Sequence, residues 1–350
     1  MTTGKVGVAL SGGVDSTVAT LLLQRQGCEV HGFFMELPLT DRKQQIQRVR
    51  ATAQSLHVPL QLVDMQELFS STIIKQFITA YAGGLTPNPC VLCNAAMKFG
   101  ALLEYMMQQG MDKMATGHYA RLIANAGGNN RLLRGLDAGK DQSYFLCRLT
   151  QRQLSHTLFP LGSWKKKDVI TQAQKNGLAV HTDNESQDVC FLATGLQQFL
   201  KEHGVAEQEG EICTSRGRVL GRHAGISHYT VGQRRGLGLP DATPWYVIAI
   251  DPKENRIIVG KNEELFQRHV LIRDLHWLIS EPVLPWQGQV QLRSRHHAAA
   301  ARLIQKNETT WEILFSEPQR AITPGQFAVL YERDQVAGSG IILSQQSCRP

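Results

Sequence analysis

Long hydrophobic runs are absent from this chain. No stretch of about 18 apolar residues occurs, so a bilayer-crossing helix is not expected. The opening residues lack the basic-then-apolar order of a secretory signal, and the expected location is the cytoplasm. Charge is sparse too: 19% of residues are charged, and the net +7 is spread along the chain instead of forming a basic tail. That bias suits a polyanionic partner such as RNA without specifying one. Cysteine occurs seven times, an odd count that argues for reduced thiols over a disulfide framework. There is no internal repeat and no low-complexity segment. The 42% of hydrophobic residues suffices for the cores of two or three domains in 350 residues.

The densest signal is Ala9-Leu10-Ser11-Gly12-Gly13-Val14-Asp15-Ser16. An apolar run at 6–10 precedes it, and helical spacing of Val14, Val18, Leu21 and Leu22 follows, ending at Gly27. Strand, glycine-rich turn and helix start make an anion cradle, because the first helical N–H groups have no partner inside the helix. Gly12 and Gly13 permit positive φ and a close approach to phosphate. Ser11 and Ser16 add hydroxyl donors, and Asp15 suits either Mg²⁺ or orientation of the turn. The Lys of a Walker-type loop is missing. The pattern resembles the PP-loop, Ser-Gly-Gly-x-Asp-Ser, of enzymes that cleave ATP between its α and β phosphates and transfer AMP to an oxygen. That motif specifies the activation step and leaves the substrate open.

Strands expected at 6–10, 29–34, 60–64 and 113–116 alternate with helices at 41–56, about 68–81 and about 94–109. The alternation predicts an α/β domain with a doubly wound parallel sheet and a ligand crevice at the carboxyl ends of its strands. Beyond about residue 204 the texture changes to short β-rich runs at 218–220, 245–251, 256–259, 271–278, 288–293, 300–305, 310–315, 326–331 and 341–343. These suit a barrel or sandwich. The expected division is 1–203 for the PP-loop ATP-binding domain, 204–265 for a small central β-rich domain and 266–350 for a C-terminal β-barrel.

A second constellation is Thr86-Pro87-Asn88-Pro89-Cys90-Val91-Leu92-Cys93-Asn94. Two prolines stiffen the approach, and Asn94 or a neighbour is expected to cap the next helix. A thiol at such a helix start has a lowered pKa, as a nucleophilic or metal-binding cysteine requires. Cys190 follows about a hundred residues later in Ser186-Gln187-Asp188-Val189-Cys190-Phe191. Cys28, Cys147, Cys213 and Cys348 read as ordinary buried cysteines.

Taken with these residues, the chain closely resembles the tRNA-specific 2-thiouridylases, almost end to end. The shared blocks include the PP-loop, the Thr-Pro-Asn-Pro-x-x-x-Cys-Asn loop, Ala115-Thr116-Gly117-His118-Tyr119-Ala120, and Lys140-Asp141-Gln142-Ser143-Tyr144-Phe145-Leu146. They continue through 158–162, 186–191, 229–238 and Thr323-Pro324-Gly325-Gln326. The resemblance implies ATP-dependent replacement of the C2 oxygen of a tRNA wobble uridine by sulfur. Adenylation makes that oxygen a leaving group. Cys190 would carry the sulfur as a persulfide and Cys93 would be the partner nucleophile, leaving a transient Cys93–Cys190 disulfide. ATP contacts would fall to residues 9–16, Met35 and Gly117. Asn88, Pro89 and Cys90 would border the target base. His118, Lys140, Asp141, Gln142, Arg293, Ser294 and Gln326 would face tRNA. The implied cofactors are ATP and Mg²⁺. The implied partners are tRNA and a persulfide-relay protein or cysteine desulfurase, with the chain a monomer.

Taken singly, these residues keep other readings. Met35 also reads as core, His118 as a structural hydrogen-bonder, and Lys165-Lys166-Lys167 as a solvated face or a phosphate contact. Arg234, Arg235, Arg293 and Arg295 suit phosphate gripping or base stacking. Two departures matter. Cys90 stands where many members have Asp, which opens a competing site: a 4Fe-4S cluster held by Cys90, Cys93 and Cys190. Otherwise no metal ligand set is expected. Glu36-Leu37-Pro38-Leu39 also leads into the helix at Asp41 without the longer insertion of many members. Competing classes are a PP-loop amidotransferase or ligase and a non-catalytic tRNA-binding protein.

Overall fold

A computed structural model describes residues 4–124, 128–178 and 189–344. The Ser186-Gln187-Asp188 block and Cys348 lie outside these. The described chain forms two compact units that do not follow chain order. One comprises 1–73, 89–193 and 334–336, the other 74–88, 194–333 and 337–350.

The first unit is built on a parallel sheet of β1 (Lys5–Ala9), β2 (Glu29–Glu36), β3 (Leu60–Asp64), β4 (Lys113–Ala115) and a two-residue strand Thr157–Leu158. The order is β3-β2-β1-β4 followed by Thr157–Leu158, so β1 has its sequence neighbour on one side and β4 on the other. A ligand crevice belongs at that switch point. Val6, Gly7 and Val8 of β1 are buried in succession, on alternating faces, as a strand covered on both faces must be. Helix α1 (Val14–Arg25) packs through Val14 and Val18 against Val169 and Ala173 of the helix Lys166–Lys175. Val49 and Ala53 of α2 (Arg42–Ser55) join the sheet core.

A continuous 20-residue helix, α3 (Pro89–Gln108), is the one described helix with the length and apolarity of a membrane span. It carries Lys98 and Glu104, and Val91, Met97, Phe99, Leu102, Leu103 and Met106 are buried. It is therefore a core helix, apolar because the protein covers it. It begins at Pro89, five residues before the expected start. Proline suits a first helical turn, where its missing N–H costs nothing. Asn94 is thus inside the helix and does not cap it.

In the second unit, a four-stranded sheet includes Gly210–Thr214, a strand not expected from sequence. The segment 74–88 belongs here because Phe77 stacks on Phe199 and Gly84 packs on Ile250. Six further strands, from Phe266–Trp277 to Gln335–Ile342, close into a barrel when the last pairs with the first. Its core holds Val290, Leu303, Ile313 and Leu330. The last strand was expected only at 341–343, because Gly338 and Gly340 break its pattern. Those glycines serve the closure: a Cβ on Gly338 would lie 2.6 Å from the His276 carbonyl oxygen, and one on Gly340 2.6 Å from Ile272 Cδ1.

One glycine of the first unit tests this packing. Gly162 accepts a hydrogen bond from Leu136 N–H, and a Cβ on it would lie 2.0 Å from the Ala120 carbonyl oxygen. Gly162→Ala should therefore cost on the order of 3 kcal/mol, the upper range for overpacking. Denaturant unfolding checks this; an unchanged midpoint would contradict the packing.

Candidate active site

The turn after β1 is held by its own side chains. Gly12 has φ +75°, and Gly13 is the N-cap of α1. Ser16 Oγ donates to the Gly13 carbonyl (3.0 Å) and accepts from Ser11 N–H (3.2 Å). Because Gly13 has no side chain, nothing caps the helix, and its first amides stay open to an anion.

Asp15 sits in the first turn of α1. Its Oδ1 accepts from Tyr119 O–H (2.7 Å), and Lys166 Nζ donates to both oxygens (2.9 and 2.8 Å). Lys166 is a first-turn residue of the helix Lys166–Lys175, here named α4, and its side chain is only 12% exposed. One lysine of the triple run is therefore a buried partner of the loop, which sequence reasoning missed. Of the roughly four acceptor positions of a carboxylate, three are taken. Oδ2 keeps one, which fits a single ligand bond to a magnesium ion.

The turn lines a cleft of about 720 Å³ at the carboxyl ends of β1, β2 and β4. Of the expected ATP set, Ala9, Leu10, Ser11, Gly13, Asp15 and Ser16 reach it, as do Met35 and Gly117. Gly12 instead packs against α2, and Val14 is buried in the core. A Cβ on Gly117 would lie 2.9 Å from the backbone of Asp15 and Ser16, so only glycine lets the chain after β4 approach the turn.

His118 also lines the cleft. Its Nδ1 shares a 2.7 Å hydrogen bond with Thr116 Oγ1, and its ring packs against Phe99 and Phe159, which also touch each other. Burial, with Lys98 adding, drives its pKa well below the usual histidine value, so the imidazole is neutral at physiological pH. Gln142 lines the cleft and accepts from Tyr119 N–H. Asp141 accepts from the backbone N–H groups of Gly135 and Ser143, from Ser143 O–H and from Arg134. It organises the loop, which leaves its carboxylate little capacity for RNA. Lys140 N–H donates to the Asp137 carbonyl.

Cys190 lines the same cleft. The following Phe191 is anchored edge-on against Phe69 at 5.7 Å. Cys90 and Cys93 lie on the opening turns of α3, which changes to π-helical hydrogen bonding over Asn94–Leu102. That i→i+5 pattern sets residues five apart, such as Cys93 and Lys98, roughly one above the other. Lys98 lines the cleft. The expected lowering of the thiol pKa does not occur. Burial pushes Cys90 and Cys93 up, with Lys98 pulling the other way. Cys190 is pushed up to about 12, by burial first and then by Cys93 and Cys90. The Cys190 residue is itself exposed at the surface. Among the described residues, no three Cys, His, Asp or Glu side chains gather as a metal set.

The remaining expected contacts lie in the second unit, apart from Pro89, which is buried at the start of α3. Asn88 belongs to that unit. Gln326 Nε2 donates to the carbonyls of Thr86 and Pro87 and so holds that loop to the barrel. Arg293 and Ser294 are exposed on a turn whose carbonyls are clamped by the Gln291 amide.

Family models match in three consecutive pieces. They are described as a tRNA methyl transferase HUP domain (4–194), a tRNA methyl transferase PRC-barrel domain (197–261) and an aminomethyltransferase beta-barrel domain (267–342). A tRNA-specific 2-thiouridylase MnmA of Desulfotalea psychrophila is 46% identical, covering 96% of this chain and 98% of that protein. The proteins of the same name from Syntrophomonas wolfei and Synechocystis sp. are 41% and 43% identical, covering 97% and 99% of this chain and 99% and 98% of their own. With an uncapped PP-loop and Cys190 on one cleft and such likeness along nearly its whole length, the chain belongs to the tRNA-specific 2-thiouridylase family.

Proposed function

We propose that this chain replaces the C2 oxygen of a tRNA wobble uridine with sulfur, at the expense of ATP. The observation that carries the reading is the shared cleft: open helix amides for phosphate and the Cys190 thiol line one cavity. Neither feature serves methyl transfer, the chemistry in two family-model descriptions, since a methyl donor needs no phosphate cradle and no sulfur carrier.

In the proposed first step the uridine C2 oxygen attacks the α-phosphorus of ATP. The α–β bond breaks and pyrophosphate leaves against the amides of 14–16. Magnesium at Asp15 would add positive charge to the departing pyrophosphate. Tyr119 and Lys166 orient the Asp15 carboxylate, and neutral His118 keeps Thr116 and the chain after β4 in place. In the second step the terminal sulfur of a Cys190 persulfide attacks C2 and AMP leaves. Cys93 thiolate then attacks the Cys190 sulfur, releasing 2-thiouridine and forming a Cys93–Cys190 disulfide. Two electrons from an external reductant reset it. The sulfur enters from the persulfide of a relay protein or cysteine desulfurase, and the enzyme acts as a cytoplasmic monomer. Cys90, Asn88 and Pro89 border the base, and Lys140, Arg293 and Ser294 contact tRNA.

Asp15→Ala should lower tRNA-dependent AMP formation at least about 100-fold while tRNA affinity stays within about twofold; undiminished AMP formation would sink the loop's role. Cys190→Ser should still make AMP yet yield no thiolated tRNA by nucleoside mass spectrometry. Thiolation by that variant would exclude sulfur passage through Cys190. If both Cys93 and Cys190 were replaceable, an amidotransferase or ligase would fit better.

The raised thiols set a pH dependence. A thiol alkylates as its thiolate, so each group lifted by burial reacts more slowly than free cysteine below its pKa. Iodoacetamide labelling of Cys190 in the nucleotide-free protein should climb about tenfold per pH unit beyond pH 9. A plateau below pH 8 would show the thiol to be depressed instead.

A further inference from the structure

The PP-loop has no lysine, yet it grips a substrate with several negative charges. α2 supplies a cation at the right end of the cleft. The side-chain space of Gly12 is closed by this helix: a Cβ there would lie 3.2 Å from Arg48 Cγ and 3.2 Å from Val49 N. The stem of Arg48 therefore runs directly past the phosphate turn, and Arg48 lines the cleft. The short connection from β2 through Glu36-Leu37-Pro38-Leu39 brings α2 there.

The neighbouring carboxylates are already engaged. Glu36 pairs with Arg42, Asp41 Oδ1 accepts from Gln45, and Asp15 is held by Lys166 and Tyr119. Among the described residues, the Arg48 guanidinium makes no ion pair and no hydrogen bond; only its backbone carbonyl accepts, from Thr52. Lys43 and Arg50 on the same helix are exposed, whereas Arg48 is half-buried. A half-buried guanidinium without an anion, beside a cradle for anions, lacks the partner its chemistry wants.

We propose that Arg48 is a phosphate-binding residue of this enzyme: it contacts the β and γ phosphates of ATP and the pyrophosphate that leaves. This rests on the ATP reading above. The planar fork of Arg matches phosphate oxygens, and its position beside Gly12 puts it at the phosphate turn of the cleft. Arg48 discriminates ATP from AMP, because AMP lacks the groups it holds.

The test is calorimetry on the full-length protein with ATP, inorganic pyrophosphate and AMP, each with magnesium, for wild type, Arg48→Gln and Arg48→Lys. Arg48→Gln should weaken ATP and pyrophosphate about tenfold, the scale of one charge-assisted hydrogen bond. AMP should change less than about twofold, as should the KM for tRNA, and Arg48→Lys should recover part of the loss. Equal losses for ATP and AMP would make the residue structural and overturn the proposal. So would wild-type ATP affinity in Arg48→Gln. A wild-type protein that binds neither ATP nor pyrophosphate would overturn the ATP reading itself, and this inference with it.

Discussion

The structure depends on an uncapped helix start being held still. An open first turn binds an anion only if something other than its own cap fixes it, because unpartnered amides otherwise fray toward water. Here the Asp15–Lys166 pair ties the first turn of α1 to the first turn of α4, and Tyr119 adds a bond from beyond β4. Gly117 and Gly12 allow backbone from two sides to close on the same turn. The amides stay free for phosphate because side chains elsewhere hold the helix. Losing Lys166 would leave a half-buried carboxylate short of its countercharge.

The sulfur end of the cleft obeys an opposite constraint. Thiols belong to a nucleophile only when ionised, yet burial holds all three upward. The Lys98 charge pulls each of them the other way, and it also depresses His118. The π-helical stretch of α3 gives this lysine its place, a use of irregular helix that recurs at functional sites.

Legibility in the sequence followed the range of the interactions. The PP-loop was readable because its eight residues are contiguous and act through their own backbone. The parallel sheet was readable from its apolar strands, and 60–64 matches the observed strand. Lys166 was not, since its partner lies 151 residues away and two more lysines flank it. Arg48 is equally silent, because nothing local says that α2 crosses Gly12. The start of α3 is not legible because a proline reads equally as loop stiffening and as a first helical residue, and Pro89 is the latter. The thiols are equally hidden: a helix dipole is legible, and the burial that outweighs it is not. The last barrel strand was hidden by Gly338 and Gly340, whose missing side chains let the barrel close.

The two ends of the cleft divide the reaction's charge. In the proposed reaction adenylation creates a pyrophosphate that must be held and then released, so its cations must be close but not permanently neutralised. Lys166 is spent on Asp15, which leaves the uncapped amides and Arg48 for the anion. The proposed sulfur transfer instead calls for a thiolate nucleophile. Lys98 can favour thiolate there without forming an ion pair with any described carboxylate. Exchanging the roles would fail at both ends: a cation locked to a carboxylate cannot follow a leaving pyrophosphate, and a thiol locked as thiolate would oxidise before its substrate arrives. The separation of Lys98, Lys166 and Arg48 onto three helices lets one cleft serve both steps.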